Sequence, residues 1–395
     1  MRVINRSIWI LSLISLFTDF ASEMLYPVMP LYLKQIGFSI IFIGFLEGIA
    51  EAIAGLSKGY FGRLSDARGE RIPFVRWGYA LSALSKPMIA IFTFPWWIFA
   101  ARTLDRIGKG IRTGARDALL SSFTTPAHKG KVFGFHRSMD TVGAFLGPLA
   151  ALLFLYFFPG AYRPLFFIAF LPGIAAVAIT FLLKETKGSA GEKKAFRYAF
   201  GAFLKYPLQS IGAYRRLLLG LLAFALLNSS DVFLLLMLQQ HGFSDIALLM
   251  AYIFYNAVYA LLAYPVGILA DRIGLKTIFI IGLLIFAVVY GGMALNQTDS
   301  IFWFLFALYG LYAAATEGIA KAWISNVCPQ GEIGTAIGTY EAFKSLATIL
   351  ASTLAGAIWQ IISPGTMFWI TAMGTLGVAV YFLLFTNSRR SRALS

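Results

Sequence analysis

Ionisable side chains stand inside stretches of the chain that are otherwise apolar, and their spacing suggests chemistry. Asp19 and Glu23 lie four residues apart in one apolar run, and Glu47 and Glu51 repeat the spacing in the next. Residues four apart share a helix face, so each pair would offer two carboxyl groups to one neighbour. Arg102, Asp105, Arg106, Lys109, Arg112 and Arg116 recur every three or four residues along a further run. Facing lipid, each charge would cost about 3 kcal/mol or more, so the stripe must face protein or a water-filled cavity. A carboxylate in such a cavity is raised by desolvation and lowered by a nearby cation, and can exchange a proton for a solute. Asp19, Glu23, Glu47, Glu51 and Asp105 are therefore candidates for proton coupling. The plainer alternative is structural ion pairing, for instance Asp105 with Lys109. Arg102, Arg106 and Lys109 suit a carboxylate or phosphate on a solute. Asn256, 205 residues beyond Glu51, joins them as an uncharged counterpart.

The elements that must hold these groups are membrane spans. Of 395 residues, 59% are hydrophobic and 13% charged, against about 25% charged in soluble domains. Runs long enough for a helix to cross a bilayer lie near 8–33, 39–60, 74–94, 97–118, 132–158, 164–183, 214–238, 246–268, 277–295, 301–325, 336–361 and 366–386. None shows the alternation of a membrane β-strand. The first follows Arg2 and Arg6 but lacks a clean cleavage site, so it reads as a retained span rather than a signal peptide. The fold expected is an all-α polytopic membrane protein of twelve helices in two pseudo-symmetric six-helix bundles.

An even number of spans puts both termini on one side. If that side is cytoplasmic, twenty-one Lys and Arg of the loops and flanks lie inside, and only Lys34 and Arg163 outside, as the positive-inside rule requires. All eight Trp fall near an expected interface. The +15 charge is thereby explained without nucleic acid. A single cysteine, Cys328, and three scattered histidines speak against a disulfide, a metal centre or any cofactor. The chain divides into residues 1–184, a linker over 185–213 and residues 214–395. In the linker, Phe196, Phe200 and Phe203 with interleaved bases predict a basic amphipathic helix on the inner leaflet.

The halves repeat. Leu33-Lys-Gln-Ile-Gly-Phe-Ser39 recurs as Leu238-Gln-Gln-His-Gly-Phe-Ser244, and Gly62-Arg-Leu-Ser-Asp-Ala-Arg-Gly69 as Gly267-Ile-Leu-Ala-Asp-Arg-Ile-Gly274, both offset by 205 residues. Gly130 and Gly134 return as Gly334 and Gly338, offset by 204. Parallel repeats around a midplane site are a secondary-transporter architecture. The second motif resembles the inner-loop signature of the major facilitator superfamily. Gly62, Leu64, Asp66, Gly69 and Arg71 match it in the first half; Gly267, Leu269, Ala270, Asp271, Arg272, Gly274 and Lys276 match in the second. Gly143-x3-Gly147-Pro148 is similar to the antiporter motif of exporters in that superfamily, though Ala151-Leu152 replaces its closing glycine pair.

The resemblance implies rocking bundles whose contacts open and close. Arg112 and Arg116 would form a gate network with Asp66, Asp117 and the fifth span. His136, Arg137 and Asp140 match Glu341 and Lys344 with signs reversed, which predicts interhalf pairs. Glu317 and Lys321 would form an i, i+4 pair, and Asp231 an outer gate. The function expected is a proton-coupled exporter of a small solute, monomeric, in the plasma or inner membrane. The alternatives are a proton symporter importing an organic anion and, from another class, an intramembrane enzyme. For the latter the chain has no His-Glu-x-x-His helix or Gly-x-Ser-x-Gly elbow, and it has no Walker sequence for ATP.

Overall fold

Helices form wherever the apolar runs require their backbone polar groups to be satisfied within the segment. A computed structural model describes residues 3–184, 200–296 and 298–385. The first half comprises α1 (Arg6–Leu25), α2 (Met29–Gln35), α3 (Ile40–Arg68), α4 (Ile72–Ile91), α5 (Pro95–Ser122), α6 (Lys129–Phe157) and α7 (Tyr162–Thr180). After the short α8 (Tyr206–Gln209) come α9 (Gly212–Ala225), α10 (Val232–Gln240), α11 (Asp245–Ile273), α12 (Leu275–Leu295), α13 (Asp299–Val327), α14 (Ile333–Ile361) and α15 (Pro364–Phe385). Helix starts follow local chemistry: the Asn5 side chain accepts from Ile8 N at 3.0 Å, and proline opens α4 and α5.

The architecture is all-α, as the sequence predicts. By length and apolarity alone, eight helices among the described residues qualify as spans. Helices α3, α4 and α5, whose charges reduce their mean apolarity, and the broken pair α9–α10 complete the twelve. Leu153, Leu171, Leu261, Val288, Phe304 and Met373 are exposed around the bundle, an apolar belt suited to lipid rather than water. The seventh span departs from the continuous run expected over 214–238. It breaks at 226–231, where the Asn228 amide donates to Tyr312 Oη at 3.0 Å and Ser230 N to Ser352 Oγ at 3.1 Å. Ser352 of α14 thus satisfies a backbone N–H freed by the break, as irregular backbone at membrane depth requires, and Tyr312 of α13 holds the Asn228 side chain.

The halves meet chiefly through α6 against α11 and α3 against α14, near the face that carries the described chain ends (the terminal face). Glycine sets that approach: a methyl group on Gly62 would overlap the Gly334 carbonyl oxygen, and one on Gly267 that of Gly130. Gly143 and Gly147 instead seat α1 against α6 within the first half, at Leu16, Phe20 and Met24, so they pack a half rather than form the joint.

Most of the linker reading, including Phe196, lies outside the described residues. The described part is a helical turn, Phe200–Lys205, followed by α8. Phe203 does not face lipid. It is 1% exposed, with its ring against Gly59 of α3. Its truncation should release the linker, because removing a buried Phe costs about 3–5 kcal/mol. Tryptic cleavage at Lys205 is expected to accelerate at least tenfold in Phe203→Ala, and not in Leu208→Ala, whose side chain is 77% exposed. Equal cleavage rates would show that Phe203 anchors nothing.

Candidate functional site

The long charged helix α5 has one face in the bundle interior. Together with α1, α4, α6, α11 and α13 and the break in α9–α10, it encloses a cavity of about 380 Å³. The cavity runs from Tyr26 and Met29, toward the face opposite the termini, down to Lys321 and Glu341. Its lining contains Asp19, Glu23, Arg102, Asp105, Arg106, Lys109, Arg112, Arg116, Arg137, Asp140, Asn256, Glu341 and Lys344, so most of the candidates from the sequence converge on one space. Glu51 is not in the lining but approaches Arg106 at 3.9 Å. The Glu47 side chain lies outside the described residues.

The ion pairs differ from those the spacing suggests. Asp105 turns to Lys86 and Arg102, each at 3.9 Å, and accepts from Ser82 Oγ at 2.5 Å; it does not pair with Lys109. Glu317 and Lys321 do not bridge each other. Glu317 accepts from Lys344 at 3.0 Å and meets Arg137 at 3.9 Å. Lys321 reaches Asp117 at 2.9 Å and Glu341 at 3.3 Å. The expected pairing of Arg137 and Asp140 with Glu341 and Lys344 is replaced. Arg137 binds Asp140 of its own helix at 2.6 Å and donates to Tyr259 Oη at 2.5 Å, while Glu341 takes Lys58 at 3.1 Å. Interhalf pairs therefore exist, but long side chains reach the adjacent helix rather than the symmetry mate.

At the floor, Arg116 pairs with Asp117 at 2.9 Å and donates to Ser15 Oγ at 3.2 Å, and Ser15 donates to Asp140 at 2.5 Å. His136 is buried beside Ser12, with Nδ1 and Oγ 3.4 Å apart. Arg112 leaves this group and lies over the Tyr79 ring at 4.5 Å. Asp19 and Asp140 are neighbours. Among the described residues, neither Asp19 nor Glu23 has an ion pair within 4 Å.

Below the floor the repeated motif interlocks the halves. Asp66 accepts from Thr335 N at 2.6 Å and Thr335 Oγ1 at 2.9 Å, capping α14. Asp271 accepts from Gly130 N and Lys131 N, both at 2.7 Å, at the start of α6. Each acid thus meets the positive end of a helix in the other half. Arg71 binds Asp66 at 3.4 Å, Ala118 O at 3.0 Å and Gln330 O at 3.2 Å. Gly69 and Gly274 turn with φ of 67° and 104°, which other residues adopt only with strain. Lys276 departs from the interhalf pattern and reaches Leu383 O at 3.3 Å, within the second half.

Sequence reasoning missed Lys58 and Lys86, which meet the same criterion of a base inside a span, and the wall formed by Tyr252, Tyr255, Tyr259, Tyr309 and Tyr312. Asp231, expected as an outer gate, accepts from Tyr255 at 2.7 Å and Tyr309 at 2.6 Å within this wall. No group of three or more His, Cys, Asp or Glu among the described residues is placed to hold a metal.

Twelve spans in two halves, closed over a charged cavity on one side, define a secondary transporter. The family profile of the Major Facilitator Superfamily matches residues 11–258 and 245–395, and the chain belongs to that superfamily. It is 30% identical over 369 residues to the uncharacterized MFS-type transporter MJ1317 of Methanocaldococcus jannaschii, covering 91% of this chain and 90% of the relative. Multidrug resistance protein MdtG of Salmonella paratyphi B is 26% identical over 96% of this chain and 94% of its own. Among solved structures, the human organic anion transporter MFSD10 superposes with a TM-score of 0.82 at 16% identity, over 95% of this chain and 99% of that one.

Proposed function

We propose that the chain is a proton-coupled secondary transporter that exports a small solute by alternating access, as a monomer in the plasma or inner membrane with both termini cytoplasmic. The observation that carries proton coupling is the placement of Asp19 and Glu23, carboxyl groups without an ion pair within 4 Å among the described residues, in the lining of a charged cavity. A carboxyl group so placed can bind and release a proton as the cavity is exposed to either side. Rocking of the halves breaks the contacts at Gly62–Gly334 and Gly267–Gly130 together with the caps at Asp66 and Asp271. Export is supported by Gly143-x3-Gly147-Pro148 and by the multidrug resistance relative. Import of an organic anion with protons is a second reading, favoured by ten basic side chains in the lining against seven acidic.

The test is accumulation of a chemically broad solute panel in efflux-deficient cells producing wild type, Asp19→Asn or Glu23→Gln at matched surface levels. Export by proton exchange lowers accumulation of at least one solute in wild type. The effect is expected to vanish with a protonophore and to fall about tenfold or more in Asp19→Asn, consistent with an acid–base contribution. Higher accumulation with wild type reverses the direction. An effect that survives both the protonophore and the substitutions overturns proton coupling.

A further inference from the structure

We propose that the solute is a small organic anion carrying two negative charges on one end and hydroxyl groups on its body, bound head-first to α5 and body-first to the second half. This deepens the reading above and rests on the cavity being the solute site, not on the direction of transport.

Two bases of the α5 stripe are not neutralised by neighbours among the described residues. Lys86 and Arg102 share Asp105, and Arg106 has Glu51. Among the described residues, no carboxylate lies within 4 Å of Lys109 or Arg112. Lys109 is exposed to the cavity. Arg112 is only 4% exposed and lies over the Tyr79 ring, yet its Nη1 has no hydrogen-bond partner among the described residues. A buried guanidinium with an unused donor is costly unless something satisfies it. The two residues are three apart on one helix and therefore neighbours, so one group with two negative charges would neutralise both. Arg112 supplies planar, bidentate geometry and Lys109 a mobile point charge.

The opposite wall has different chemistry. Each oxygen of Asp231 accepts a tyrosine hydroxyl, from Tyr255 and Tyr309, so this wall presents phenols around its carboxylate. Asn228, at the helix break, gives its amide to Tyr312, and its Oδ1 is buried without a partner among the described residues. That oxygen needs a donor, and a hydroxyl on the solute body supplies one. Tyr252 and Asn256 line the same side. A cavity of about 380 Å³ suits a metabolite-sized ligand.

The purified full chain tests this by ligand-dependent thermal unfolding, and by counterflow in proteoliposomes, with glycerol phosphate, succinate, lactate, glucose and ethidium as probes. The dianions are expected to stabilise most, glycerol phosphate above succinate. Lys109→Gln and Arg112→Gln should each weaken apparent affinity for glycerol phosphate about tenfold or more, as loss of a charged hydrogen bond does. Arg112→Lys should fall between, and Asn228→Ala should narrow the gap between glycerol phosphate and succinate. If Arg112→Gln does not fold, Lys109→Gln decides, since the Lys109 side chain has no ion pair within 4 Å among the described residues. Equal stabilisation by glucose or ethidium, no binding of either dianion, or affinities unchanged in Lys109→Gln overturns the anion site. Counterflow of ethidium or glucose alone would sink the anion site and leave transport standing. Dianions that bind through Lys109 without ever exchanging would sustain the anion site and sink the transport reading.

Discussion

Gly62→Val should give a protein that folds and inserts but cannot close its terminal face. At this point α3 lies against backbone on two sides. A methyl group on Gly62 would overlap the Gly334 carbonyl oxygen, and Gly338 Cα lies 3.3 Å from the same position. On the other side, a methyl on Gly114 would come within 2.8 Å of Gly62 Cα. No flexible side chain is available to move aside, so the clash is relieved only if α3 and α14 separate, which is the opening motion itself. The native Cys328 reports that motion. It is buried near Tyr206 and Lys129 at the seam, and burial pushes its thiol up to about 12. Because the thiolate is the reactive form, alkylation by a maleimide should be slow in wild type. Gly62→Val should accelerate it at least about tenfold, the factor given by a shift of about 1.4 kcal/mol, while counterflow falls to background. Gly377→Val, at a position with open space around it, should alter neither. Wild-type alkylation and transport in Gly62→Val would mean that this glycine contact is not part of the closing surface.

That joint is also where the sequence was most informative. Gly62 and Gly267, Asp66 and Asp271, and Gly130 and Gly334 stand at nearly constant offsets, and the structure pairs them across the halves in matching fashion. A repeat records backbone geometry, which symmetry preserves. Ion-pair partners are another matter. Lys58, Glu317, Lys321 and Glu341 carry long side chains that can reach two or three neighbouring helices, so spacing along one helix does not select the partner. The tyrosine wall was illegible for a different reason: an aromatic residue in a span serves equally as lipid anchor, core filler or ligand contact. Trp323 illustrates this, since its ring is buried against Phe279 and Phe382. The break at 226–231 did carry a signal, the turn-forming cluster Asn228-Ser-Ser-Asp231, which the apolar sequence on both sides outweighed.

Glu341→Ala should open the terminal face even more strongly, by charge rather than by size. Glu341 holds Lys58 of the first half at 3.1 Å and Lys321 of its own half at 3.3 Å, and Lys321 passes the link to Asp117 of the first half at 2.9 Å. Lys321 keeps Asp117 after the substitution, but Lys58 loses its one carboxylate within 4 Å among the described residues. Removing one partner of a buried pair costs about 3–5 kcal/mol, or roughly two to three and a half decades in an equilibrium constant. The protein need not unfold to escape that cost, because opening admits water to Lys58. The effect should therefore appear in Cys328 alkylation, faster by about a hundredfold or more, with little change in the unfolding midpoint. Lys58→Met removes the stranded cation, so Lys58→Met with Glu341→Ala should alkylate closer to the wild-type rate than Glu341→Ala alone. Such non-additivity marks direct coupling between neighbours. If instead the Lys58 and Glu341 substitutions accelerate alkylation independently and additively, the 3.1 Å contact does not hold the halves together, and closure rests on the glycine joint and the two aspartate caps.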